Sequence, residues 1–281
     1  MLKKRQLTSK YRHAFHIVSP SLWPFLLSAN LFALVIGGVM YLHAYQYGGL
    51  LLSISFVAVL SIMALWWVDI IFEATFEAAH TKIVQRGLRM GMVLFIVSEI
   101  MFFFAFFWAF FHSCLSPAIQ IGAIWPPLGL TPFNPWEIPF LNTIILVFSG
   151  WWATKAHHII ITKEYSLLYG HLKTYLDNFG RYLIYAILLG CLFTCFQLYE
   201  YIIADFSICD SVYGSVFYLA TGFHGAHVLV GTLFLMVVFF RHREAHFIGR
   251  HYFGVDAAMW YWHFVDVVWL FLFLVIYWWG S

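Results

Sequence analysis

From Met92 to Phe111 the chain reads MVLFIVSEIMFFFAFFWAFF, with one carboxylate, Glu99, in the middle of an apolar run. Arg89 marks one end of this run. Ten residues at a helical rise of 1.5 Å place Glu99 roughly 15 Å from that end, about half of the ~30 Å hydrocarbon thickness of a bilayer. A charged, unpaired group at that depth costs several kcal/mol. Glu99 is therefore expected to be protonated, paired, or turned towards a protein-lined cavity, and the other helices are expected to pack around this one.

Composition agrees with that setting. Of 281 residues, 63% are hydrophobic and only 10% charged. That excludes an ordinary soluble domain and indicates an all-α polytopic membrane protein. The net charge of +2 gives no reason to expect a nucleic-acid partner. Cys114, Cys191, Cys195 and Cys209 form no CxxC pair and read as small apolar packing groups. The basic N-terminus is followed by an apolar run of full membrane length with no small-residue cleavage site, which reads as a span rather than a signal peptide.

Seven transmembrane helices are predicted, at about 23–42, 50–72, 87–111, 140–161, 182–201, 212–240 and 257–279. Fourteen of the 15 Lys and Arg residues fall in the N-terminal segment or in the second, fourth and sixth loops. The positive-inside rule then puts the N-terminus inside and the C-terminus outside. The exception, Lys155, lies on the fourth helix and is expected to snorkel towards the inner face. The outer loop 112–139 holds six prolines and is expected to form an ordered cover. Residues 164–180 carry Leu168, Leu172, Tyr175, Leu176 and Phe179 at helical spacing, which predicts a short helix on the inner membrane surface. There is no internal repeat.

The remaining buried polar groups offer several chemistries. Asp266 follows Asp256 by ten residues, so it too lies roughly 15 Å deep, with His263 one turn away on the same face. His224 and His227 are an i, i+3 pair on the sixth helix; His157 and His158 lie near the inner end of the fourth. Such imidazoles can share a metal ion or haem in a helix bundle, or simply hydrogen-bond between helices. Glu99, Asp266 and His263 could form a proton relay, although the neighbouring phenylalanines offer nothing to carry a proton onward. Trp66, Trp67, Asp69, Glu73 and His80 at the inner end of the second helix, and the basic group Arg241, Arg243, His246 and Arg250, suit lipid headgroups or generic interface anchoring.

Longer motifs carry a resemblance. HIVSPSLWPF (16–25), HTKIVQRGLRMGMVLFIVSEIMFFFAFFWAF (80–110), IWPPLG (124–129), NPWEIPFLNT (134–143), AHH (156–158), DSVYGSVFYLATGFHGAHVLVGT (210–232) and WYWHFVDVVWLFLFLVIYWWGS (260–281) occur in order along nearly the whole chain. In these the chain resembles the cytochrome c oxidase subunit III family. The resemblance implies a core subunit of respiratory complex IV, which reduces oxygen with electrons from cytochrome c and pumps protons. It implies no catalytic residue, metal, haem or copper on this chain, since the redox centres belong to partner subunits. The seven helices are then arranged as a V: a two-helix leg (23–72) and a five-helix bundle (86–281) around a lipid cleft, with 1–22 as an inside N-terminal segment.

The same resemblance implies subunit I as main contact, with subunit II and supernumerary subunits in the complex, and bound phospholipid, cardiolipin among the candidates. It implies support for proton uptake, with the family's intramembrane glutamate falling on Glu99. Family lipid contacts fall on Trp66, Trp67, Glu73, His80 and Arg241. The setting implied is the mitochondrial inner membrane, with the N-terminus in the matrix and the C-terminus in the intermembrane space; a bacterial plasma membrane is the alternative. The chain departs from the family at Val68 and Phe72, where the pattern has arginines, at Ala79, where it has histidine, and at Lys155, where it has tryptophan. The competing reading is an independent transporter built around Glu99 and Asp266, against which stands the position of the prolines in a loop and near helix starts rather than at midplane.

Overall fold

The structure, a computed structural model, describes residues 15–168, 172–247 and 252–280, and within these the side chains of 163–168 and 172–175 fall outside the description. The basic residues Lys3, Lys4, Arg5, Lys10, Arg12 and Arg250 thus lie outside the described residues, as do the side chains of Lys163 and Lys173. All regular structure among the described residues is helical: α1 (Trp23–Leu42), α2 (Gly48–Thr75), α3 (Lys82–Leu115), α4 (Ile138–Leu168), α5 (Leu172–Ile203), α6 (Val212–Arg243) and α7 (Phe253–Leu272), with α7 continuing as π-helix over Phe273–Trp279. A short 3-10 turn, Ile119–Ile121, interrupts the loop after α3. These are seven helices long and apolar enough to cross a membrane, matching the seven predicted spans.

Residues 164–180 differ from expectation. In place of a separate surface helix, α4 runs on to Leu168 and α5 begins at Leu172. Helical spacing was legible there, but periodicity does not say whether a segment stands alone. No proline or glycine breaks the chain between Trp151 and Leu168, so the helix simply continues. Phe179 is fully buried, its ring 4.7 Å from that of His242, and His242 Nε2 donates to the Leu176 carbonyl (3.0 Å). Lys155 also departs: its ammonium sits 5.3 Å from the Trp151 ring centroid, one turn back, in a cation–π contact.

The chain divides into two compact units, Met1–Leu88 and Arg89–Ser281, with the division inside α3. In the first unit α1 and α2 form a hairpin whose backbones meet at glycine. A Cβ on Gly37 would lie 2.6 Å from Leu52 N, and one on Gly48 would lie 2.6 Å from the Met40 carbonyl carbon. Small residues permit this approach where apolar lipid gives no hydrophobic drive for helices to associate.

In the second unit α7 is central, with 56% of its span buried. Trp262 is wholly enclosed; its ring fills the space left by Gly190 and Gly231, and its Nε1 donates to Ser149 Oγ (3.1 Å), which donates to the Ala186 carbonyl (2.8 Å). Trp269 Nε1 donates to Thr143 Oγ1 (3.0 Å). Most buried indole N–H groups find such a partner. The proline-rich loop lies over this unit. Trp125 packs on Phe110 and Tyr213, and Phe133 packs on Phe206 and Phe217.

A valine at Gly231 would set its Cβ 2.8 Å from the Trp262 ring, whereas Gly225 has nothing within 4 Å. Overpacking costs about 1–3 kcal/mol. Gly231→Val is expected to destabilise the purified protein by that amount, read by thermal unfolding, and Gly225→Val to leave it near wild type.

Candidate functional site

Glu99 finds its partner on α6. Its Oε2 lies 2.9 Å from His227 Nε2, and His227 Nδ1 lies 2.6 Å from the Phe223 carbonyl oxygen. A carbonyl oxygen only accepts, so Nδ1 must carry a proton and donate to it. The neutral imidazole then has a lone pair at Nε2, and Glu99 must be the protonated donor. In the charged alternative, imidazolium donates to carboxylate. Either way one proton is held between Oε2 and Nε2. The pair sits among rings: Phe103 is 4.9 Å from the imidazole, and Tyr261 stacks on it at 6.3 Å with an interplanar angle of 16°. Glu99 is thus paired, one of the outcomes expected for a carboxylate at that depth.

The other predicted polar residues do not join this pair. Asp266 Oδ2 lies 3.7 Å from His263 Nδ1, the i, i+3 contact expected on α7. His263 Nε2 is 3.2 Å from Thr154 Oγ1. Gly150 lies directly against the Asp266 carboxylate, so a side chain there would collide with Asp266 Oδ2. His224 is fully buried, donates from Nε2 to the Val265 carbonyl (3.2 Å) and packs between Phe193 and Trp269. It and His227 therefore serve different neighbours, because residues three apart on a helix diverge by about 60° around its axis. Among the described residues, His224, His227 and His263 do not gather into a metal-holding group.

Two polar features escape the sequence reading. Asp256, buried at the start of α7, accepts from Arg89 Nη2 (2.9 Å) and Nε (3.2 Å) on α3, while its Oδ1 lies 3.0 Å from His157 Nε2 on α4. This ties three helices at one carboxylate. The signal was the appearance of Arg89 and Asp256 at the starts of spans that run the same way. Glu200 is also completely buried, and its carboxyl lies against the Tyr277 hydroxyl. Nearby Gln197 Nε2 donates to the Tyr277 hydroxyl (3.4 Å), and the Tyr201 hydroxyl is 2.7 Å from Thr221 Oγ1.

The headgroup candidates are distributed over both units. On α2, Trp66 is half-buried and Trp67 is 55% exposed. Glu73 lies in the last turn of α2, and His80 in the turn that follows it. On the second unit the Arg241 guanidinium lies 4.8 Å over the Phe247 ring and against Gly254, where a Cβ would come within 2.7 Å of Nη1. Arg241 Nε is buried with no hydrogen-bond partner among the described residues. Arg243 is exposed and His246 half-buried.

A family model described as "Cytochrome c oxidase subunit III" matches residues 13–281. Proteins named "Cytochrome c oxidase subunit 3" align over almost the full length. The one from Chondrus crispus is 55% identical over 275 residues, 97% of this chain and 96% of that protein. The one from Arabidopsis thaliana is 54% identical over 271 residues, 96% of this chain and 98% of that protein. The one from Prototheca wickerhamii is 55% identical over 270 residues, 96% of this chain and 99% of that protein.

The Glu99–His227 geometry sets apart two substitutions. A glutamine can donate its amide N–H to His227 Nε2, so Glu99→Gln is expected to cost under about 1 kcal/mol. Glu99→Ala strands a part-buried imidazole nitrogen and is expected to cost about 1–3 kcal/mol. Thermal unfolding of the assembled complex measures both; equal losses would contradict the pairing.

Proposed function

The chain belongs to the cytochrome c oxidase subunit III family, and from that premise we propose that it is a non-redox core subunit of the oxidase, which reduces oxygen to water with electrons from cytochrome c and pumps protons. The observation that carries this reading is the match over residues 13–281, joined by relatives that align over almost their full length. On this reading haem and copper reside on partner subunits, and this chain stabilises the catalytic subunit, holds structural phospholipid and supports proton uptake. Subunit I is its main contact, with subunit II and supernumerary subunits in the same assembly. Its setting is the mitochondrial inner membrane, with the N-terminus in the matrix and the C-terminus in the intermembrane space.

The first three helices leave much apolar surface for neighbours to cover. Only 6%, 17% and 11% of the α1, α2 and α3 spans are buried within the chain. Phe95, Phe104 and Trp108 on α3 are exposed, so apolar neighbours, lipid or protein, must cover them. Headgroup contacts are assigned to Trp66, Trp67, Glu73 and His80 on one unit and to Arg241, Arg243 and His246 on the other. Arg241 is only partly buried, and a guanidinium pairs well with phosphate oxygens. Because α2 carries no arginine, the more anionic lipid, cardiolipin included, is assigned to the Arg241 group.

Affinity purification through a tag on this chain tests the assignment. Oxidase haem and copper are expected to co-elute, and the chain separated from its partners is expected to show no haem absorption. A haem retained by the separated chain would overturn it. A thiol placed by Arg243→Cys is expected to react with a membrane-impermeant reagent only from the matrix side; labelling from the other side would reverse the topology. Removing one cation near an anionic surface costs about 1 kcal/mol, or roughly a fivefold loss of affinity. Arg241→Ala is expected to reduce retained anionic phospholipid to that degree, as read by mass spectrometry of the purified complex.

A further inference from the structure

At the end of α2 the chain turns back on itself. The Phe76 and Glu77 amides both donate to the Phe72 carbonyl (2.9 and 3.4 Å), and the Ala79 amide donates to the Glu73 carbonyl (3.1 Å). Ala78, at φ 55°, supplies the left-handed residue that such a reversal requires. His80 is thereby carried back beside Glu73. Its carbonyl accepts from Gln85 Nε2 (2.9 Å) in a buried bond, and Thr81 Oγ1 then accepts from the Val84 amide at the start of α3 (3.5 Å). His16, in the segment before α1, completes the group: its ring is 5.3 Å from that of His80, nearly edge-on at 70°. One ligand atom each from His16, Glu73 and His80 lies within 4.8 Å of the others. All three residues belong to the first unit.

From His13 to Thr81 the sequence contains no lysine or arginine, while Asp69, Glu73 and Glu77 follow one another at four-residue intervals; Lys82 and Arg86 then open α3. The kind of donor, rather than the net charge, points to a metal. Two imidazoles and one carboxylate are the donor set of three-ligand zinc sites, which leave a fourth position to water. Tetrahedral bonds of about 2.0–2.1 Å would bring the ligand atoms to about 3.4 Å from one another. The exposed His16 is the side chain free to close that gap, while His80 and Glu73 are positioned by the turn.

We propose that His16, Glu73 and His80 form a binding site for a divalent transition-metal ion of the zinc type, which clips the segment before α1 to the turn between α2 and α3. This goes beyond the headgroup contact assigned above to Glu73 and His80, because it recruits His16 and needs lone-pair donors rather than hydrogen-bond donors.

The test uses the intact complex in lipid nanodiscs, washed with chelator and dialysed against radioactive zinc. Zinc held by other subunits cancels on comparison with variants. His16→Ala and Glu73→Gln are each expected to lose one zinc equivalent per chain, and His16→Cys, which restores a ligand, to retain it. His16 is exposed, so its variants leave the fold in place. Equal zinc uptake by wild type and His16→Ala would overturn the site. So would variants that lose phospholipid but keep zinc, since the group would then serve a headgroup. Haem absorption of the same samples reports separately on subunit membership, so failure of the metal site is distinguishable from failure of the functional reading.

Discussion

A carboxylate inside a membrane has no water to answer it, so its partner must come from the chain. Glu99 on α3 and His227 on α6 meet that demand 2.9 Å apart. Asp256 meets it twice, with Arg89 from α3 and His157 from α4. These links are directional, whereas the phenylalanine-rich surfaces around them are not. They fix how α3 sits against its neighbours, a helix otherwise largely exposed within the chain. Breaking a buried pair by removing one partner strands the other, so each link constrains position more than a comparable apolar contact does.

The apolar packing is organised on α7 for a complementary reason. Trp262 and Trp269 are the largest wholly buried side chains, and the indole N–H of each finds an acceptor. Ser149 and Thr143 on α4 are those acceptors. Gly190 on α5 and Gly231 on α6 give the Trp262 ring its space. Four helices of the second unit therefore converge on one residue, by hydrogen bonding on one side and by absence of side chain on the others.

The seven spans were legible because length and apolarity are local properties of a chain. So was the His263–Asp266 contact, which lies within one helical turn. The Glu99–His227 link was not, because its partners are 128 residues apart and no periodicity joins them. The sequence offered His224 and His227 as a pair, yet three residues of helix turn them to different neighbours. Glu200, at the tyrosine-rich end of α5, went unnoticed because no spacing or motif marks it as buried. Residues 164–180 were read as one separate helix, whereas 164–168 extend α4 and 172–180 open α5, since spacing identifies a helix and not the element it belongs to. His16 and His80 are 64 residues apart in sequence, so only the backward turn at Ala78 reveals that they meet.

The central claim is that the intramembrane glutamate is held by a histidine whose tautomer is fixed from the opposite side of its ring. Nitrogen-15 magnetic resonance of histidine-labelled complex, with His227 assigned by difference from His227→Gln, reports that tautomer directly. The geometry predicts a protonated Nδ1, donating to the Phe223 carbonyl and leaving Nε2 to share the proton of Glu99. A neutral ring protonated only at Nε2, with a bare Nδ1 facing that carbonyl, would contradict it.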